Sequence, residues 1–174
     1  MKINSEQEML ECGKKLAREC NLERDFAAVI EMIGDVGAGK TTLTRGLAEG
    51  LGVKEAVTSP SFTISKAYAL PTGGQLVHYD FYRLGDPGLM AGDLAECISE
   101  PSNVVVVEWG ESVADLLPEQ RVVVKLDYND DGSRDVKVDY CGDTVGVKMD
   151  DCGDTTDVKV SDCGGGTGAE TETK

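Results

Sequence analysis

The sequence predicts an α/β protein: a mostly parallel sheet with helices on both faces and a β-hairpin at its carboxyl end. Three observations predict it. An apolar, β-prone run, Phe26-Ala27-Ala28-Val29-Ile30-Glu31-Met32-Ile33, stops at a glycine, and Leu43, Leu47 and Leu51 then recur every fourth residue until Gly52. A second run, Val104-Val105-Val106-Val107, is β-branched throughout, as a strand buried on both faces is, and ends in Glu108. Two further strands, at residues 121–128 and 134–140, flank Asn129-Asp130-Asp131-Gly132-Ser133, a hairpin connection.

Between the first strand and its helix stands Gly34-Asp35-Val36-Gly37-Ala38-Gly39-Lys40-Thr41, which fits the spacing Gly-x-x-x-x-Gly-Lys-Ser/Thr. Strand, glycine-rich loop and helix together aim backbone N–H groups and a helix N-terminus at an anion, here a nucleotide triphosphate. The glycines let the backbone approach phosphate oxygens with no Cβ in the way. The Lys40 ammonium reaches the β- and γ-phosphates, the Thr41 hydroxyl ligates the bridging Mg²⁺, and Thr42 is placed for a further phosphate contact. The predicted fold is therefore a P-loop NTPase-like sheet.

In chain order, residues 3–20 read as a helix with Asn4 or Ser5 as cap. Glu8 completes a capping-box pattern, and Met9, Leu10, Gly13, Leu16 and Ala17 form a stripe. Residues 21–25 are a polar connection. After the first P-loop helix, Val57-Thr58-Ser59-Pro60-Ser61-Phe62-Thr63-Ile64 is either a nucleotide-ordered switch or a plain loop into a strand. Residues 62–70 and 75–82 read as strands joined by Pro71-Thr72-Gly73-Gly74. The second carries His78, Asp80 and Tyr82 on one face. Asp80 needs a job or a partner: it orients water, holds a metal-bound water, or pairs with Arg83 or His78. His78 reads as a hydrogen-bonded core residue. Asp86-Pro87 starts a helix running to about residue 98. Glu108, delivered at a strand's carboxyl end, binds Mg²⁺ directly or through water, or is an ordinary solvated strand end. Trp109, the only tryptophan, is a core anchor or lies near the nucleotide.

Composition sets the outer limits. The chain has 174 residues and is 40% apolar, enough for a core. Its organisation reads as a P-loop domain over residues 1–140 and an acidic Gly/Cys tail over 141–174. The tail repeats every 11 residues: Val136-Lys137-Val138 is echoed at Val147-Lys148-Met149 and Val158-Lys159-Val160, with Cys141, Cys152 and Cys163 in step. Each copy has few apolar residues, so the tail is expected to be weakly ordered. No run of about 18 apolar residues and no signal-like segment occurs, so a cytoplasmic protein is expected. The six cysteines include no Cys-x-x-Cys pair, which favours free thiols over zinc or disulfides. A net charge of -15 disfavours stand-alone nucleic-acid binding, because phosphate neutralisation needs clustered Lys and Arg.

Four motifs in order, residues 34–46, Thr58-Ser59-Pro60-Ser61-Phe62-Thr63, His78-Tyr79-Asp80-Phe81-Tyr82-Arg83-Leu84 and Val107-Glu108-Trp109, resemble those of the TsaE family over residues 5–140. The resemblance implies a P-loop fold and slow ATP hydrolysis supporting N6-threonylcarbamoyladenosine synthesis at position 37 of tRNA. It implies docking on TsaD and TsaB, with tRNA contact only through that complex; composition and charge add the expectation of no membrane and no direct DNA binding. By matching position, Gly37, Ala38, Gly39, Lys40, Thr41 and Thr42 hold phosphates, and Thr41 and Glu108 hold Mg²⁺. Ser59 lies in the switch, Asp80 assists hydrolysis and Trp109 lies by the active site. Two departures stand out: Met9 replaces a threonine usual near the adenine, and the tail has no counterpart. Three rivals fit the loop alone. A small-molecule kinase usually closes an arginine-bearing lid, whereas the six arginines here are scattered. A GTPase-like switch lacks its Asn-Lys-x-Asp reader, and a nucleotide-sensing module shows no turnover.

Overall fold

The computed structural model describes residues 1–20 and 25–142. In chain order they form β1 (Lys2–Ile3), α1 (Glu6–Glu19), β2 (Ala28–Ile33), α2 (Lys40–Gly50), β3 (Ser65–Ala69), β4 (Gln75–Asp80), α3 (Leu89–Ser99), β5 (Val104–Glu108), a 3-10 helix (Gly110–Leu116), β6 (Arg121–Tyr128) and β7 (Arg134–Cys141). The strands make one sheet in the order β1-β7-β6-β2-β5-β4-β3. Its centre is parallel: β2 pairs with β5 and β6, and β5 with β4. Its margins, β3 on β4 and the β6–β7 hairpin with β1, are antiparallel.

The valine run of β5 shows how the layers arise. Successive side chains on a strand point to opposite faces. Val104 and Val106 join Ile30, Leu76, Leu43 and Leu47 and the α1 residues Met9 and Leu16 in one core. Val105 and Val107 join Val29, Tyr79, Leu94, Ile98 and Val113 in the other. Helices therefore cover both faces, α1 and α2 on one and α3 with the 3-10 helix on the other. Each fully buried side chain of this size contributes about 1.5–3 kcal/mol. On the α3 side, burial pushes the Tyr79 phenol well above its ordinary pKa, aided by its hydrogen bonds to Asp93 and Cys97.

Several boundaries differ from the sequence reading. Ile3 belongs to β1, paired with Arg134, and not to the first helix. The helix cannot begin before Ser5, whose backbone is extended (φ -146°) while its Oγ accepts the Glu8 N–H at 3.2 Å. Glu8 reaches back past the cap, accepting the Asn4 N–H at 2.8 Å. Ser5→Ala is expected to lower stability by about 1 kcal/mol, read from the denaturant midpoint, because one N-terminal amide loses its acceptor. β3 starts at Ser65, not at 62, because the Pro60 carbonyl accepts both the Thr63 and Ile64 N–H groups and closes a turn first. β4 ends at Asp80, not at 82. α3 starts at Leu89, not at Asp86-Pro87: Asp86 accepts the Gly88 N–H at 2.9 Å in a turn of its own, and Gly88 (φ +48°) precedes the helix. The 129–133 connection forms as expected, with the Asn129 N–H donating to Ser133 O at 2.9 Å. There the Lys2 ammonium and Ser133 hold the Asp131 carboxyl well below the usual carboxylate range. β7 runs on to Cys141, which is buried opposite Arg121. The rest of the expected tail, residues 143–174, lies outside the described residues, as do residues 21–24 of the polar connection.

Among the described residues no helix is long and apolar enough to cross a membrane.

Candidate functional site

Parallel strands deliver their carboxyl ends to one edge of the sheet, and three of them meet here. β2 leads into the loop before α2, while β4 and β5 end on Asp80 and Glu108. The register pairs Glu108 with Met32 on one side and Asp80 on the other. A cavity of about 440 Å³ opens over this edge. Gly37, Gly39, Lys40, Thr41, Thr42, Ser59, Asp80, Glu108 and Trp109 all border it, so the structure brings together nine of the ten sequence-predicted residues. Ala38 is the exception. Its side chain is buried in the core and its N–H donates to Asp35 O at 3.2 Å within the loop.

The loop has the shape of a cradle. Gly37 has φ +86°, and a Cβ built on it would meet nothing within 4 Å. A side chain there would occupy the open side of the loop. α2 begins with Gly39 as a residue that offers no side-chain acceptor, leaving first-turn N–H groups without a side-chain cap. Lys40, 5% exposed, lies back along the loop, its Nζ donating to Gly34 O at 2.7 Å and Asp35 O at 2.9 Å. The same Nζ is 3.9 Å from Glu108 Oε2 and 4.8 Å from the centre of the Trp109 ring.

Both acids are buried, and both have partners. Asp80, 5% exposed, accepts the Ser61 hydroxyl on Oδ2 and the Tyr82 N–H on Oδ1 at 3.0 Å. It pairs with neither Arg83 nor His78, the two structural partners that the sequence left open. Ser59 Oγ lies 2.7 Å from Ser61 Oγ. Because Ser61 spends its proton on Asp80, Ser59 is the donor, and the 57–64 stretch is tied to the cavity by a Ser59–Ser61–Asp80 chain. Glu108, 3% exposed, is not a solvated strand end: Oε1 lies 2.9 Å from His78 Nε2. His78 is wholly buried, as a hydrogen-bonded core residue should be, but its partner is the acid at the cavity.

Trp109 takes a left-handed backbone (φ +58°), a conformation that costs a non-glycine residue of order 1–3 kcal/mol. The turn ends β5 and sets the indole beside Lys40 and against Tyr82, ring centres 4.8 Å apart. Trp109 is thus a cavity wall and not only a core anchor.

Four more residues reach the rim: Tyr82 and Arg83, which belong to the motif after β4, and Glu6 from α1 and Arg134 from β7, which carry no local sequence signal for it. The last arrives only because β7 closes the hairpin beside α1, and no motif announces it. Arg83 stacks over Phe62, its Cζ 4.6 Å from the ring centre. The lining holds three cations (Lys40, Arg83, Arg134) and three acids (Glu6, Asp80, Glu108). The site is therefore charge-balanced within a strongly acidic chain. No cluster of three His, Cys, Asp or Glu side chains that could hold a metal occurs among the described residues. One hydroxyl and one or two carboxylates are what the site offers a divalent cation. That set suits Mg²⁺, which is bound through one or two carboxylates together with phosphate oxygens.

The family model described as threonylcarbamoyl adenosine biosynthesis protein TsaE matches residues 3–136. The chain belongs to the TsaE family. It is 43% identical over 120 residues to the tRNA threonylcarbamoyladenosine biosynthesis protein TsaE of Streptomyces coelicolor, covering 68% of this chain and 78% of that one. To the protein of the same name from Haemophilus influenzae it is 37% identical over 130 residues, 74% of this chain and 82% of the relative. The crystal structure of Bacillus subtilis YdiB superposes with a TM-score of 0.64 at 31% identity, covering 82% of this chain and 84% of YdiB. The family is one of tRNA threonylcarbamoyladenosine biosynthesis, and its match ends within β7, before the repeats at 147 and 158.

Proposed function

We propose that this protein is a Mg²⁺-dependent ATPase that supports threonylcarbamoyladenosine synthesis on tRNA through nucleotide-controlled docking on TsaD and TsaB, with tRNA met only through that complex. One observation carries the reading. A loop lysine, a helix-start hydroxyl and two buried acids from separate strands border one cavity, at a glycine whose positive φ leaves the loop open on that side.

Charge decides what the site needs. Three acids offset its three cations, so polyphosphate must be balanced by loop amides, the α2 N-terminus and a divalent cation. When bound, Mg²⁺ would neutralise charge on the β- and γ-phosphates. Thr41 and Glu108 are the residues to hold it. Lys40 exchanges its two loop carbonyls for phosphate oxygens, and Gly37, Gly39 and Thr42 contribute close backbone and hydroxyl contacts. Asp80, fixed by Ser61 and the Tyr82 amide, accepts a hydrogen bond from the attacking water and so orients it. Trp109 and Tyr82, in ring contact with each other, wall one side of the cavity. Neither rim arginine is held as a preset finger, because Arg83 stacks on Phe62 while Arg134 lies over Tyr128 and donates to Gly132 O at 3.3 Å, and slow unaided turnover follows.

The test is phosphate release from ATP by the purified protein, with and without Mg²⁺, and then with TsaD and TsaB. Slow, Mg²⁺-dependent hydrolysis and repeated rounds of tRNA modification in the presence of both partners are expected. No turnover under any of these conditions would leave a nucleotide-sensing module, and transfer to a small-molecule acceptor instead of water would leave a kinase. Asp80→Asn should retain nucleotide affinity and lose about 100-fold in hydrolysis, the scale of a positioned proton acceptor.

A further inference from the structure

We infer that His78 is a positioning residue for Glu108: it fixes which carboxylate oxygen faces the cavity, and through it the site's response to Mg²⁺. The inference rests on the nucleotide-site reading above.

Glu108 is 3% exposed and cannot rely on water, so each oxygen needs a donor or a cation. Oε2 faces Lys40 at 3.9 Å, on the cavity side. Oε1 has one polar partner, His78 Nε2 at 2.9 Å, on the interior side. His78 sits two residues before Asp80 on β4, opposite Val106, so its ring lies on the same sheet face as Glu108, one pleat further from the edge. With the imidazole neutral, the contact is attractive only if Nε2 carries the proton and donates.

The other ring nitrogen separates this role from simple core filling. His78 Nδ1 is buried and has no hydrogen-bond partner among the described residues. A histidine kept only for packing gains nothing over leucine or methionine here, since it leaves a polar atom unsatisfied. The single bond it does make goes to the acid of the cavity. That is the arrangement of an outer partner holding a metal-ligating carboxylate, whose removal typically weakens metal affinity by about 10- to 100-fold.

Trp109, the only tryptophan, borders the same cavity and reports occupancy by its fluorescence. The experiment titrates Mg²⁺ at a fixed concentration of a non-hydrolysable ATP analogue and repeats the analogue titration in EDTA. His78→Leu and His78→Asn should raise the half-saturating Mg²⁺ concentration about 10- to 100-fold while leaving metal-free analogue binding within about twofold. His78→Gln, whose amide reaches further towards Oε1 than asparagine's, should recover most of the loss. In a Glu108→Gln background the His78 substitutions should no longer change the Mg²⁺ response, because the group they act through is gone. Equal Mg²⁺ dependence in wild type and every folded variant overturns the inference. Should the leucine variant not fold, the asparagine and glutamine variants decide: different half-saturation supports positioning, and coincidence overturns it. A wild-type protein whose analogue binding ignores Mg²⁺ overturns the nucleotide-site reading as well, an outcome distinct from variants that merely match a responsive wild type.

Discussion

Lys40→Ala is expected to abolish measurable ATP turnover, a loss of about 100- to 1000-fold, and to weaken ATP binding by about 10- to 100-fold. The second figure is the loss of charge-assisted hydrogen bonds of about 1.5–3 kcal/mol, and the first adds the charge that develops on the transferred phosphoryl group. The side chain is buried against Gly34 O, Asp35 O, Glu108 and Trp109, so its loss acts on three things together. The loop loses the brace across two of its carbonyls. Glu108 loses the cation facing Oε2 and is left with His78 alone. Incoming phosphate loses its one buried counter-charge. Phosphate release and Trp109 fluorescence check the two numbers separately, and a variant that still bound ATP tightly would end the cradle assignment.

Gly46→Ala is expected to destabilise the protein by about 3 kcal/mol or more, against the helix propensity of alanine. In an open helical position the change stabilises by about 0.5–1 kcal/mol. Gly46 is not open: a Cβ there would lie 2.1 Å from Leu10 O, and one on Gly13 would lie 2.2 Å from Leu43 O. The two glycines face each other across α1 and α2 and let the backbones touch, so a single methyl group must force the helices apart. α1 then carries Met9 and Leu16 out of the core and shifts Ser5 and Glu6 at the cavity rim. Gly92, exposed on α3 with nothing within 4 Å of its would-be Cβ, supplies the opposite sign. Gly92→Ala should stabilise by about 0.5–1 kcal/mol. Urea unfolding of the pair checks both signs.

These two sites also mark how far a reading of the residues reaches. The cradle is legible because its information is local: a glycine spacing, an apolar strand before it and leucines every fourth residue after it. β5 is legible for the same reason, since four β-branched residues have few other fates. Gly13 looks like any member of a helical stripe, and its role depends on which helix lies opposite. β1 is two residues long and exists only because β7 offers an edge to pair with. The 3-10 helix after Trp109 has no periodicity to detect. Asp80 invites a pairing with His78 or Arg83 because those residues are near in sequence. The fold instead brings Ser61 to Asp80 and gives His78 to Glu108, thirty positions away.

The residue order by itself determined the sheet-and-helix class, the glycine-rich loop between strand and helix, the two acids at strand ends and the family to which they belong, because each is written in spacing and chemistry within a few tens of residues. Only the tertiary structure decided the order of the strands, the charge balance of the cavity, the arrival of Arg134 and Glu6 at its rim, and the bond that fixes Glu108 from behind. Those are set by which distant segments share a face after the core has closed, and packing between distant segments leaves no periodic trace along the chain.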